Sequence, residues 1–505
     1  MDRCEDSFAR CQRYVILAVI LICAGFLRFY LLSSIPPGLF YDEAMDGNNA
    51  VEAAETNHFQ VFYAEDYGRE GLYVNITALI IKTFPIYEPW IIRLPAAVAG
   101  VLTVWGLYLL SSALFGEAPG LLSAFFLATS VWHIIFSRIG FRAILAPLTL
   151  IWAIWLLLKG HSIEADPERS HRAHASMIYT ILAGIVYGLG FYTYIAFRIT
   201  PLLLLLFIPF FWKSPGFWRR ATVFIAVVGV VSAPLGWYFI QHPDEFLQRA
   251  GQISVTSAAH PVYSFAMNAA RTALMLNYHG DRNWRHNISG APELFWPVGI
   301  LFILGFLLAA QTIWNRWRKR TESPLTQTFG SILILLWIVL GGLPAAASNE
   351  GVPHALRSIL VLPPSMILAA LGGVWLACAI RRVCGFKAFW AIAISFLFGV
   401  GAFGYYEYFD VWATNPHLLP AFYASSVDIG RRINSLSPST PKYVVVAGTL
   451  LVRGLPVQAQ PTMFVTHSFT STDREAANIH YLLPGQENQI PIGTSSHSIF
   501  YIRPE

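Results

Sequence analysis

Tyr14-Val15-Ile16-Leu17-Ala18-Val19-Ile20-Leu21-Ile22-Cys23-Ala24-Gly25-Phe26-Leu27-Arg28-Phe29-Tyr30-Leu31-Leu32 decides what kind of chain this is. The run is apolar except for Arg28 and has about the 20 residues that a bilayer core demands, more than a signal-peptide apolar region usually holds. No small-residue cleavage site follows; Ser33-Ser34-Ile35-Pro36-Pro37 breaks the helix instead. With Arg3, Arg10 and Arg13 ahead of it, the run reads as an uncleaved first span that starts in the cytoplasm.

The rest of the chain agrees. It has 505 residues, 55% hydrophobic and 12% charged, with mean hydropathy +0.52. Soluble domains carry about 25% charged residues, so this is the composition of a polytopic membrane protein. Further apolar runs cover 89–114, 119–137, 143–159, 175–194, 198–212, 221–240, 292–314, 329–347, 357–380 and 388–406, which makes about eleven spans with the first. Counted alternately, four of the inner loops hold the basic residues: Arg169 and Arg172; Lys213, Arg219 and Arg220; Arg316, Arg318, Lys319 and Arg320; Arg381, Arg382 and Lys387. Short basic loops belong on the cytoplasmic side, and one miscounted span would invert the pattern. The net charge of +5 is scattered over these loops, so it is not a nucleic-acid surface. The five cysteines stand on or near the cytoplasmic side or inside a helix, and no structural disulfide is expected.

The outer side is where the unusual residues collect. The loop 33–88 is long and polar and contains two stretches of helical period, 44–56 and 72–84, read as interfacial helices. Residues 1–410 are expected to form the membrane domain. Residues 411–505 are read as a linker and a small extracytoplasmic domain with strands at Tyr443–Gly448 and Ser498–Ile502. Directly after the first span comes Gly38-Leu39-Phe40-Tyr41-Asp42-Glu43-Ala44-Met45-Asp46-Gly47, and carboxylates beside a bilayer are costly unless solvated, paired or used. On the same side lie Arg69, Arg138 and Arg142 (four apart, on one helix face), Arg198, His354 and Arg357.

Singly, each arginine reads as an interfacial snorkeller. Together they suit a phosphate, which guanidinium groups grip bidentately, with a neighbouring carboxylate as general base on a hydroxyl. A phosphate held at a bilayer surface is most simply a lipid headgroup. As a leaving group it needs cations rather than a protonating acid. One base and several cations therefore suffice for group transfer from a polyprenyl phosphate. A transporter or flippase of the same lipid is the rival reading. It would carry polar residues along a midplane path, whereas most spans here are clean Leu, Ile, Val and Phe.

The order of first span, outer-loop Asp-Glu, two interfacial helices and Arg93-Leu94-Pro95-Ala96 resembles the protein O-mannosyltransferase and aminoarabinose-transferase group, membrane glycosyltransferases of the GT-C class. The likeness extends over residues ~10–410 and includes Phe136-Ser137-Arg138-Ile139-Gly140-Phe141-Arg142, Tyr192–Arg198, His242-Pro243-Asp244-Glu245-Phe246 and Pro353-His354-Ala355-Leu356-Arg357, which look bacterial. It implies an all-α GT-C fold and an inverting transfer of a sugar from a polyprenyl-phosphate donor to a lipid, glycan or protein hydroxyl. The setting would be the outer face of the cytoplasmic membrane. Asp42 is the implied catalytic carboxylate and Glu43 its neighbour. Arg69 falls near a lipid-phosphate-binding lysine of some members, followed here by Glu70. The donor phosphate is expected at Arg69, Arg138, Arg142, Arg198, His354 and Arg357. The acceptor or sugar site is expected at Asp66, Glu70, Trp284, Arg285 and His286. Some lipid A-modifying relatives hold a metal, for which His279, His286 and His354 with Asp281 or Glu70 are the candidate ligands. The stretch 277–287 has no recognised ligand spacing, and no cofactor is assigned.

Overall fold

The computed structural model describes residues 2–65, 67–164, 173–252, 254–318, 325–491 and 497–503. Asp66 and the basic residues Arg169, Arg172, Lys319 and Arg320 lie outside the described residues. The chain is mainly helical. Eight helices among the described residues are long and apolar enough to cross a bilayer: Gln12–Phe29, Pro89–Phe115, Arg142–Ile163, Phe217–Gln241, Trp296–Trp317, Leu325–Ala346, Ile359–Val383 and Phe386–Trp412.

The remaining three expected spans take other forms. That at 175–194 is a shorter apolar helix, Ala173–Gly190. That at 119–137 breaks at Ser130, whose backbone is extended and whose side chain accepts the His133 N–H, so Glu117–Thr129 ends and Val131–Phe136 starts afresh. A helix end leaves orphan carbonyls. Here Arg28 takes two of them: Nη1 donates to Ala128 O at 2.9 Å and Nη2 to Leu127 O at 3.3 Å. The one charge in the first span is therefore a helix cap, buried completely. The expected span 198–212 is a 3-10 turn, Ile195–Ile199, followed by the short helices Pro201–Leu204 and Phe207–Phe211. Pro201 and Pro209 lack the N–H that a continuous helix needs.

The chain divides into two compact units that do not follow chain order. One comprises Met1–Tyr30, Val98–Ser137 and Ala143–Asp410; the other comprises Leu31–Ala97, Arg138–Arg142 and Val411–Glu505. The second unit holds the loop 33–88. Both loop helices form, as Tyr41–Thr56 and Leu72–Thr83, joined through the strand pair Phe62–Tyr63 and Arg69–Glu70. The unit also holds a three-stranded parallel sheet, with Lys442–Val446 between Ile479–Leu482 and Ser498–Ile502. The middle strand is the β-branched run read from the sequence, and all five of its residues are buried. Met45 of the first loop helix joins Val444, Val446, Met463, Ile479 and Ile502 in one apolar cluster, so that helix and the sheet share a core.

Candidate active site

Adjacent helical residues point about 100° apart, and the environments of Asp42 and Glu43 diverge accordingly. Glu43 is fully buried. Its Oε1 accepts from Arg93 Nε at 3.0 Å and from the Gly140 N–H at 2.6 Å. Its Oε2 accepts from the Phe40 N–H at 3.2 Å and from Arg93 Nη2 at 3.3 Å. Glu43 thus caps its own helix as the third residue of the first turn. Arg93 in turn donates to Pro36 O at 2.7 Å and Gly38 O at 2.8 Å, and Arg138, also fully buried, donates to Ile35 O at 3.0 Å. Glycine is needed at 140, because a Cβ there would stand 3.2 Å from Glu43 Oε1 and 2.8 Å from Ile92 Cγ2.

Asp42 is different. Its side chain keeps 33% of its exposure, while its Oδ1 meets Arg69 Nη2 at 2.9 Å. One turn further along the helix, the buried Asp46 takes Arg69 Nε at 3.0 Å. Successive strand residues face opposite ways. Glu70 therefore turns from Arg69's partners to Arg142 and accepts its Nε at 3.1 Å. The unit brings together Asp42, Glu43, Arg69, Glu70, Arg138 and Arg142 from the sequence reading. It adds Asp46 and Arg93, which that reading did not assign. The i, i+4 spacing of Asp42 and Asp46 was a usable signal for the first. Arg93, at the start of an apolar span, entered the sequence reading only as part of the Arg93-Leu94-Pro95-Ala96 motif, with no partner assigned. Of the four carboxylates, Glu43, Asp46 and Glu70 are buried in ion pairs, and Asp42 alone is partly open.

The other expected site residues that are described belong to the first unit. Arg198 donates to Phe246 O at 3.0 Å and lies over the Phe239 and Phe246 rings. Arg357 donates to Ser348 Oγ and to Glu350 O. Trp284 and Arg285 are half-buried, and His286 is buried against Phe136. Asp281 is the hub of this region. Its Oδ1 accepts the Asn283 N–H at 2.8 Å; its Oδ2 accepts the Ala355 N–H at 2.9 Å and lies 2.9 Å from His286 Nδ1 and 3.8 Å from His354 Nδ1. Burial works to raise the Asp281 pKa, but the charge and hydrogen bond of His286, with His354 and the Asn283 N–H, outweigh it and bring it to about 2. Burial, then the charges of His286 and Arg357, hold His354 well below the usual imidazole range. Asp281 and His354 also line a cavity of about 670 Å³, together with Arg271, His279 and Arg282.

Donor atoms of Asp281, His286 and His354 lie within 4.8 Å of one another, an Asp-His-His set of the kind zinc accepts. Closing round a cation would cost the His286–Asp281 hydrogen bond, and the Asp281 carboxylate is already satisfied without one. Of the other two candidate ligands, His279 accepts from Arg282 Nε at 3.0 Å, and Glu70 belongs to the second unit and pairs there with Arg142.

Residues 75–237 match the family model of dolichyl-phosphate-mannose-protein mannosyltransferases. ArnT from Cupriavidus metallidurans, solved bound to undecaprenyl phosphate, aligns in structure over 90% of this chain and 84% of its own, with a TM-score of 0.53 at 15% identity. The archaeal oligosaccharyltransferase AglB from Archaeoglobus fulgidus, solved with an inhibitory peptide and a dolichol-phosphate, aligns over 91% of this chain with a TM-score of 0.55 at 14% identity. This chain spans 64% of AglB's length. No curated protein sequence matches the chain. At such identities the likeness is one of fold: a mostly helical multi-pass membrane architecture of GT-C type, with small strands near the C-terminus.

Proposed function

We propose that this membrane protein of GT-C fold is a glycosyltransferase that moves a sugar from a polyprenyl-phosphate donor to an acceptor hydroxyl, with inversion and with Asp42 as general base. One observation carries the reading. Of Asp42, Glu43, Asp46 and Glu70, the carboxylates paired with Arg69, Arg93 and Arg142, Asp42 alone keeps exposure, and a buried arginine orients it. Two further findings support it: the match of residues 75–237 to lipid-phosphate-dependent mannosyltransferases, and the lipid phosphates bound to both structural neighbours.

In this mechanism Asp42 takes the proton of the acceptor hydroxyl as its oxygen attacks the anomeric carbon from the face opposite the phosphate. The bond from carbon to phosphate oxygen breaks, the electron pair leaves with the polyprenyl phosphate, and cations stabilise that charge. Arg69 serves Asp42 by fixing its rotamer. We assign Arg142, which keeps some exposure in the same unit, to the donor phosphate first, with Arg138, Arg198, His354 and Arg357 as further candidates. Glu43 and Arg93 hold the backbone from which Asp42 projects. The acceptor, whether lipid, glycan or protein, is handled on the outer face of the cytoplasmic membrane, with the N-terminus inside.

Asp42→Asn tests the assignment. Transfer from a panel of mannosyl, glucosyl and aminoarabinosyl undecaprenyl phosphates to envelope lipids and glycans should fall at least ~100-fold, the range of a lost general base. Binding of undecaprenyl phosphate, followed by thermal shift, should persist. Wild-type turnover in the purified variant removes Asp42 from the chemistry. Bound lipid phosphate without transfer by the wild-type protein favours a transporter.

A further inference from the structure

Residues 451–456 form a hairpin in which Leu451 pairs with Pro456 and Val452 with Leu455, turning on Arg453-Gly454. Both turn residues have positive φ, +50° and +80°. Such a two-residue turn favours Asn-Gly, Asp-Gly or Gly-Gly, and a long side chain at its first position is strained. A residue that stays in such a conformation is held by its surroundings, and what holds it is informative.

The surroundings are the helix that carries the candidate base and the strand pair that carries Arg69. Arg453 Nη2 and Nη1 reach the two carboxylate oxygens of Glu52 at 2.7 and 3.1 Å, and its Nε meets Glu65 Oε1 at 2.5 Å. The guanidinium lies 4.4 Å from the centre of the Phe469 ring. Glu52 is on the same helix, Tyr41–Thr56, that begins with Asp42. Glu65 stands before the strand Arg69–Glu70, and its own carbonyl accepts Arg69 Nη1 at 3.4 Å. A short path therefore runs from Arg453 through Glu65 to Arg69 and on to Asp42, while a second runs through Glu52 along the helix. One planar fork fixes the helix against the strand pair.

The same C-terminal segment holds the helix at a second point. Asn48 Nδ2 donates to Gln460 Oε1 at 2.7 Å and to Gln460 O at 3.1 Å, all buried. Next to it, Gly47 has no room for a Cβ, which would fall 2.9 Å from the Phe464 ring. These contacts set the rotation of the helix, and Arg453 sets the strand pair against it.

We propose that Arg453 is a positioning residue for the Asp42 base, so that the C-terminal segment acts on catalysis through geometry; this rests on the reading of Asp42 given above. Partly exposed ion pairs add little to stability. A misplacement of about 1 Å at a reacting group can cost ~100-fold in rate. The consequence of losing the fork should therefore appear in turnover and hardly at all in melting.

Arg453→Asn is the variant of choice, because asparagine suits the turn and lacks the fork. The expected result is an unchanged or higher Tm, a donor KM within about twofold of wild type and a kcat about tenfold lower. Arg453→Lys, which keeps the charge between Glu52 and Glu65, should recover part of it. Hydrogen exchange of the amides at 41–46 and 69–71 should quicken in Arg453→Asn. Wild-type kcat, unchanged exchange at these amides, or a lysine variant no better than asparagine overturns the proposal. Asp42→Asn assayed alongside separates the two ideas. If it is inactive while Arg453→Asn is normal, only the positioning role falls. If it is active, the base assignment falls and takes the positioning role with it.

Discussion

Asp42 and Glu43 are neighbours in sequence and unlike in environment. Glu43 uses both oxygens on Arg93 and on two backbone N–H groups, and Arg93 spends its remaining donors on the carbonyls of Pro36 and Gly38. An ion pair removed from water stabilises only when its geometry is this complete, and removing one partner strands a buried charge. Arg93→Ala should therefore destabilise by about 3–5 kcal/mol, read as a large fall in Tm of the detergent-solubilised protein. Arg93→Ala combined with Glu43→Gln should recover part of that loss, and equal damage in single and double variants would refute the pairing. The ranking of Asp42 over Glu43 came from the family resemblance; that the two point apart needed only the geometry of a helix. Asp46 was within reach of the same reasoning. Arg93 was not, because sequence shows a charge at the end of an apolar run without showing which carboxylate, fifty residues away, it meets.

At the scale of elements, apolar runs located the helices well and said less about where they break. Ser130 and Pro201 interrupt two runs that hydropathy alone reads as continuous. Hydropathy averages over a window, while a break is decided by one missing donor or one capping side chain. The loop 279–290 shows a second kind of element, organised by a carboxylate rather than by apolar packing. Folding lowers the Asp281 pKa to about 2 from its ordinary value of 3.8. The stability this contributes is present above the unfolded value and is lost as pH falls through the folded one. Between pH about 4 and about 2, the protection factors of the Asn283 and Ala355 amides, both donors to this carboxylate, should fall sharply once the intrinsic exchange rate at each pH is divided out. The protection factors of the amides in the membrane-spanning helix Leu325–Ala346, which carries no titrating carboxylate, should not change over that range.

For the whole molecule, the units are assembled from segments far apart in the chain. Residues 411–505 share a unit with 31–97 and 138–142, and Met45 packs in one apolar cluster with Val444, Val446 and Met463. A chain ending at residue 441 would leave that face of the helix Tyr41–Thr56 bare and remove Gln460 and Arg453 from it. The expectation is rapid proteolytic cleavage within 41–70 in the truncated chain and protection in the full one. Equal protection in both would show that the first loop folds without the sheet.

The sequence by itself determined the membrane class, most of the spans, the helices of the loop 33–88 and two of the three strands of the parallel sheet. These follow from local regularities, namely the length of apolar runs, the period of side chains and the placing of charge at helix ends. Only the tertiary structure decided which charges are spent on one another. It gave Glu43 to Arg93, Glu70 to Arg142 and Asp46 to Arg69, and it placed Arg453 across Glu52 and Glu65. The reason is physical: burial and pairing depend on distances between residues remote in sequence, and a one-dimensional pattern carries no record of those distances.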